Sequence, residues 1–255
     1  MTPSLAVRAD VNMARSWEAL CRDARGPTNR FGTLQCFSLG IRDPFFNGAI
    51  CTGPTDDPDR VLAHAMSFLG RFGLPWLLWI RQGVDDALLA AARRAGLRES
   101  PGPPAMGLSP IPAPPPDTPG VDITLVTDEA GLRTHQDLLT SAFEMPADIA
   151  RRLMTVGVLD DPGLGVVVAR VDDVPVSTAL VSIVGTTAGI YNVGTPVVHR
   201  RKGYGRAVTR AAIDEGVRRG CDHAILQASE AGRPVYESME FEHLGRYIHL
   251  EGPPG

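Results

Sequence analysis

The apolar positions of the chain fall into two series of elements. Val11, Ala14, Trp17 and Leu20 recur at helical spacing and predict a first helix over about 9–24. Two β-like runs follow, 33–39 and 45–52. Pro58 stands in the first turn of the next predicted helix, where its missing N–H costs nothing. Val61, Leu62, Ala65, Met66 and Leu69 continue that helix as one apolar face. Residues 75–80 predict a short strand, and 84–95 a helix closed by Gly96.

Residues 101–120 interrupt the pattern with a dense run of prolines, from Pro101, Pro103 and Pro104 to Pro114, Pro115, Pro116 and Pro119. Prolines this close cannot propagate a helix or donate to a ladder, and they favour an extended path. The run is expected to be a linker between domains at 1–100 and 121–255. Beyond it, 121–126 predicts a strand, and Thr127 a cap for a helix to about 143. Pro146 opens a short helix carrying Ile149 and Leu153. Strands follow at 165–171 and 174–184, with Asp172-Asp173 as the turn between them. A loop at 185–189 leads to a strand at 190–198, and Gly203 and Gly205 to a helix ending near Gly220. The last elements are a strand at 223–227, a short helix at 233–239 and a strand at 243–250.

Composition narrows the class. The chain has 255 residues, 44% apolar and 21% charged, so either half can bury an ordinary core. No run approaches the ~18 apolar residues of a membrane helix, and the first residues lack the basic and apolar regions of a signal peptide. Cys21, Cys36, Cys51 and Cys221 are scattered without a CxxC pair. That spacing fits thiols in a reducing cytoplasm rather than a disulfide framework, and offers no metal site. A net charge of −4 argues against a nucleic-acid partner. Lys202 is the only lysine, which GC-rich codon usage explains without chemistry.

The chemistry is concentrated in Arg200-Arg201-Lys202-Gly203-Tyr204-Gly205-Arg206, between a predicted strand and a predicted helix. Glycines let the main chain approach a ligand. The free N–H groups and dipole of the helix start then favour an anion, and four basic side chains add to that potential. A pyrophosphate suits such a loop; a glycine-rich turn with a solvated basic rim is the alternative. There is no Walker A sequence, and the third glycine of a dinucleotide fingerprint is missing.

Arg200-x-x-Gly203-x-Gly205 resembles the Q/R-x-x-G-x-G/A loop of the GNAT superfamily of N-acetyltransferases, at the same place in the order of elements. Tyr191-Asn192-Val193-Gly194-Thr195 looks like that family's fourth strand. The stretch from Arg233 through Tyr236 to Phe241 resembles its A-x-x-x-Y-x-x-x-G-F segment, except that Glu240 replaces the glycine. The resemblance covers about 121–251. It implies a GNAT fold of α/β (α+β) class: a mixed, largely antiparallel central sheet flanked by helices.

The resemblance implies acetyl-CoA as acyl donor, no metal, and direct attack by a primary amine on the thioester. Main-chain groups of Arg201, Lys202, Gly203, Tyr204, Gly205 and Arg206 would take the pyrophosphate. Those of Val193 and Thr195 would align the pantetheine, and Ser229 is a further cofactor contact. Tyr236 matches the tyrosine that protonates the departing thiolate; packing on the sheet is the alternative for it. No general base is named: 186–195 holds no Asp or Glu, Glu144 reads as a solvated loop carboxylate, and His135, His199 and His243 as packing or surface residues. A water chain would need none. The acceptor is a small-molecule or peptide amine, with no nucleic-acid or membrane partner, and a homodimer is left open. A non-catalytic acyl-CoA-binding or regulatory GNAT-like protein is the alternative function.

The first half resembles the degenerate N-terminal region of tandem members, so two GNAT-like units are expected. Where the second half has its glycine-basic loop, the first has Thr55-Asp56-Asp57-Pro58-Asp59. Aspartates there repel a pyrophosphate, so one acyl-CoA site per chain is expected.

Overall fold

The computed structural model describes residues 3–114 and 118–252, in two compact units: 1–105 with 243–255, and 106–242. Pro115 and Pro116 of the expected linker lie outside the described residues.

The first unit opens with helix α1 (Leu5–Asp23), whose N-cap Ser4 accepts from the Val7 N–H. Strands β1 (Thr28–Phe31), β2 (Leu34–Ser38) and β3 (Asn47–Cys51) form an antiparallel series. Helix α2 (Pro58–Gly70) then crosses to β4 (Trp76–Arg81), which lies parallel to β3. Helix α3 (Asp86–Arg94) leads into β5 (Arg98–Leu108). The core joins Leu34, Leu62, Phe68, Trp76, Leu78 and Leu88 from these elements.

The second unit repeats the plan. Strand β6 (Asp122–Leu125) precedes helices α4 (Glu129–Phe143), α5 (Ala147–Leu153) and the one-turn α6 (Gly157–Asp160). Strands β7 (Leu164–Val171), β8 (Val174–Val184) and β9 (Thr187–Gly194) run antiparallel to one another. Helix α7 (Tyr204–Arg218) crosses to β10 (His223–Gln227), parallel to β9, and α8 (Arg233–Glu237) follows. In each unit a series of antiparallel pairings, two in the first and three in the second, precedes one parallel pair bridged by a helix. This mixed sheet with its flanking helices is the expected architecture, and the shared pairing pattern makes the two halves repeats.

The final strand of each repeat departs from expectation. The proline-rich stretch does not begin as a linker: 98–108 is a strand, and its end at Met106 and Leu108 packs in the core of the second unit. Three prolines within β5 hid an apolar ending, Ala105–Leu108, that burial holds extended. The last strand, β11 (Glu242–Gly252), lies in the first unit antiparallel to β4, pairing Tyr247 with Arg81 and Gly252 with Trp76. The strand order is β1-β2-β3-β4-β11-β5 in the first unit and β5-β10-β9-β8-β7-β6 in the second. Each repeat's closing strand therefore lies beside the other repeat's parallel pair. The units divide at 105/106 and 242/243, whereas composition had suggested 100 and 121.

A buried ion pair fixes β11. Asp10 of α1, with no exposed surface, accepts from Arg81 Nε at 3.0 Å, from a terminal nitrogen of Arg81 at 2.9 Å and from the Tyr247 hydroxyl at 2.8 Å. Removing one member would leave a buried charge short of partners.

Two caps also differ from expectation. Asp128, not Thr127, caps α4, accepting from the Gly131 N–H at 2.8 Å. The one-residue shift follows from two adjacent residues that can both cap. Glu240 takes the left-handed conformation (φ +66°) in which a glycine would be unstrained.

Candidate functional site

The parallel pair β9–β10 runs from Thr187↔His223 to Ile190↔Leu226 and then stops. Strand β10 ends one residue later, while β9 continues to Gly194 against β8 alone. The β8–β9 register shifts by one residue here, with four residues from Tyr191 to Gly194 opposite three from Thr178 to Leu180. Asn192, at φ +51°, carries the bulge. A bulge bends its strand and increases the local twist, and it falls where β9 runs on past the end of β10. Val193 lies in this stretch and Thr195 just beyond it.

The predicted loop meets the end of β9. A Cβ on Gly205 would stand 3.4 Å from Thr195 Oγ1. Ser177 Oγ lies 2.8 Å from Thr195 Oγ1 and donates to the Gly194 carbonyl at 3.1 Å, so Thr195 is the donor between the two hydroxyls. Arg200 differs from its exposed neighbours in being tied to main-chain carbonyls. Its Nε donates to the Thr195 carbonyl at 3.0 Å, and a terminal nitrogen donates to the Ala142 carbonyl at 2.9 Å. It thus caps the last turn of α4 and ties the loop to it.

Arg201 (φ +60°) and Gly203 (φ +86°) turn the chain through left-handed conformations into α7. Gly203 is the N-cap of α7, and no side chain caps the helix. No side chain serves the first-turn N–H groups, and Arg201, Lys202 and Arg206 are exposed around them. In the first unit the equivalent helix start is self-satisfied: Asp57 caps α2, its carboxylate accepting from the Arg60 N–H at 3.1 Å, and Asp59 lies in the first turn. The same backbone plan thus gives a helix start with no side-chain cap in one unit and a carboxylate-capped one in the other.

Tyr236 of α8 is buried, 8% exposed, in the core beside Phe241, with ring centroids 6.0 Å apart. Burial pushes the phenol up to about 12. Thr209 of α7 donates through Oγ1 to the Gly205 carbonyl at 2.8 Å. Ser229 sits at the start of α8 and accepts from the Gly232 N–H at 3.0 Å, so its oxygen already serves the turn.

Residues 132–241 match the family model described as the Acetyltransferase (GNAT) family. This segment is a GNAT acetyltransferase domain. Among curated proteins, none matches the sequence. Among solved structures, a GCN5-related N-acetyltransferase from Kribbella flavida aligns with a TM-score of 0.75 at 21% identity, over 100% of this chain and 98% of that one. A GCN5-related N-acetyltransferase from Sphaerobacter thermophilus gives 0.62 at 16% identity, over 86% and 76%. A tandem GNAT protein from the clavulanic acid biosynthesis pathway gives 0.61 at 17% identity, over 87% and 78%. At these identities the likeness is one of fold. It extends through both units, and the GNAT domain lies within the second.

Other expected candidates take structural places around the GNAT domain. His135 is fully buried, its Nδ1 2.6 Å from Thr178 Oγ1, and burial lowers its pKa to about 3. Glu144 is exposed and ends α4 in a left-handed conformation, φ +52°. Among the described residues, no group of three or more His, Cys, Asp or Glu could hold a metal ion, and no helix is long and apolar enough to cross a membrane. A cavity of about 790 Å³ on the flank of α7, lined by Arg206, Arg210, Asp214, Asp122 and Glu240 among others, shares only Arg206 with the loop.

Proposed function

We propose that the chain is an acetyl-CoA-dependent N-acetyltransferase that acylates a primary amine, with one acyl-CoA site per chain, in the GNAT domain. The uncapped start of α7, next to the stretch of β9 that runs past the end of β10, carries this reading. Main-chain N–H groups over Arg201, Lys202, Gly203, Tyr204, Gly205 and Arg206 take the pyrophosphate, and the basic side chains add long-range attraction. The pantetheine arm lies along β9 and pairs with main-chain groups of Val193 and Thr195, through N–H at Thr195 because Arg200 holds its carbonyl. Ser229 contacts the cofactor with its remaining hydroxyl proton.

The reaction is direct transfer. The amine lone pair forms the C–N bond, the C–S bond breaks with its electron pair on sulfur, and Tyr236 supplies the proton that makes the free thiol. The acceptor is a small-molecule or peptide amine, and the setting is cytoplasmic, with neither nucleic acid nor membrane as partner. A homodimer is compatible with this chemistry.

A non-catalytic acyl-CoA binder is the second reading, favoured by the absence of any carboxylate over 186–195. Incubation with acetyl-CoA and a panel of primary amines, reading free CoA thiol, separates the two. Amine-dependent thiol release supports the transferase; tight binding without release across the panel supports the binder.

A further inference from the structure

Asn192, Val193 and Gly194 divide between the two faces of the sheet. Val193 packs against the core that holds Val208 of α7 and Tyr236 of α8. A Cβ on Gly194 would instead meet Ala142 Cβ at 3.2 Å and Phe143 Cε2 at 3.4 Å, both at the end of α4. The Asn192 side chain reaches Met154, the C-cap of α5, with Nδ2 3.5 Å from Sδ. Residues 192 and 194 thus face α4 and α5, and 193 faces α7.

A thioether sulfur has no proton to give, so the group that meets it is the amide NH2, and the amide oxygen is turned away. Met154 is buried, and Gln136 of α4 donates to its carbonyl at 2.6 Å, which fixes the anchor. Among the described residues none donates to Asn192 Oδ1, and solvent reaches that atom. The donor end of a half-buried side chain is held while its acceptor end stays open. The backbone contributes too: Asn192 sits at φ +51°, a left-handed conformation that asparagine tolerates, and a bulge re-aims the side chain it carries.

We infer that Asn192 binds the acceptor amine, its Oδ1 accepting from one N–H of the attacking nitrogen. This deepens the acyltransferase reading above and rests on it. In that reading the pantetheine pairs with Val193, the next residue, and the sulfur takes its proton from Tyr236, in the core on the α7 side. The side toward α4 and α5 is left to the incoming amine, and Asn192 stands there. With one N–H on Oδ1, the nitrogen keeps its lone pair for the C–N bond. A neutral amide oxygen takes no proton, so the surplus proton on nitrogen goes to water once that bond has formed. Asn192 orients the nucleophile and is not its base.

The test measures amine KM by CoA thiol release at saturating acetyl-CoA, with the primary amine of the panel that turns over fastest, and acetyl-CoA Kd by calorimetry. The proteins are the wild type, Asn192→Gly and Asn192→Asp. Glycine and aspartate both accept the left-handed backbone, so each variant changes the side chain alone. Asn192→Gly is expected to raise amine KM about tenfold, the loss of one hydrogen bond, with acetyl-CoA Kd unchanged. Asn192→Asp keeps an acceptor oxygen and loses the N–H on Met154, and should return KM to within about threefold of wild type. Asn192→Ala replaces the glycine variant if that one does not fold. Wild-type amine KM in Asn192→Gly or Asn192→Ala overturns the role of Asn192 while leaving the acyltransferase intact. So does an equal rise in acetyl-CoA Kd, or no recovery in Asn192→Asp, either of which makes the side chain a brace for β9. Absence of turnover in the wild type overturns the parent reading and this one with it.

Discussion

Arg200 and Thr195 are joined side chain to main chain at 3.0 Å, across the turn that leads from β9 to α7. The same guanidinium holds the end of α4 through Ala142, so the first basic residue of the motif braces the loop rather than meeting the ligand. A planar fork serving two carbonyls has no equivalent in a lysine. Arg200→Ala and Arg200→Lys are both expected to weaken acetyl-CoA binding by about tenfold, each losing charge-assisted hydrogen bonds worth about 1.5–3 kcal/mol. Calorimetry at two salt concentrations checks this: the loss should persist at high salt, where a long-range phosphate attraction would be screened.

The two loop glycines are not equivalent. Gly203 sits at φ +86°, where a side chain costs about 1–2 kcal/mol. A Cβ on Gly205 would meet only Thr195 Oγ1, at an ordinary 3.4 Å. Gly203→Ala is therefore expected to lower thermal stability and acetyl-CoA affinity together, and Gly205→Ala to change either little. Thermal melts with and without acetyl-CoA test the contrast.

The C-terminal strand carries a stability prediction separate from the site. Tyr247→Phe removes one of the donors to the buried Asp10 carboxylate and is expected to cost about 1–3 kcal/mol of unfolding free energy. Acetyl-CoA affinity of the folded protein should be unchanged. Denaturant unfolding followed by tryptophan fluorescence is suited to this, because Trp76 and Trp79 belong to β4, the strand beside β11.

Acid sensitivity should trace in part to His135. Thr178 donates to the Val167 carbonyl at 2.8 Å, so His135 Nδ1 is the donor to Thr178 and Nε2 is left bare and buried. The ring stays neutral in the fold down to about pH 3, against 6.5 for an ordinary histidine. The unfolded chain therefore binds the extra proton throughout that window. The contribution of His135 is complete above pH 6.5 and is lost as pH falls toward 3, at up to about 1.4 kcal/mol per pH unit. In His135→Asn the decline in unfolding free energy over this range should be shallower by that amount.

Most elements were legible because their signals are local. Pro58, Gly96, Gly203 and Gly220 mark helix ends, and the Asp172-Asp173 turn shows in both residues adopting positive φ. The turn into α7 was legible for the same reason, since its glycines, basic residues and helix start are adjacent in sequence. The exchanged strands were not. Nothing in Arg98–Leu108 or Glu242–Gly252 says which parallel pair each will lie beside, because long-range pairing depends on the partner's edge as much as on the strand. Proline density also concealed β5, whose burial is confined to its second half.

Calorimetric titration of the purified chain with acetyl-CoA tests the central claim most directly. The uncapped start of α7 and the Asp57-filled start of α2 together predict micromolar binding at one site per chain. That affinity should fall in Gly203→Ala and be unaffected by Asp57→Asn. Two sites per chain would contradict the assignment of the first unit, and no binding at millimolar acetyl-CoA would contradict the account as a whole.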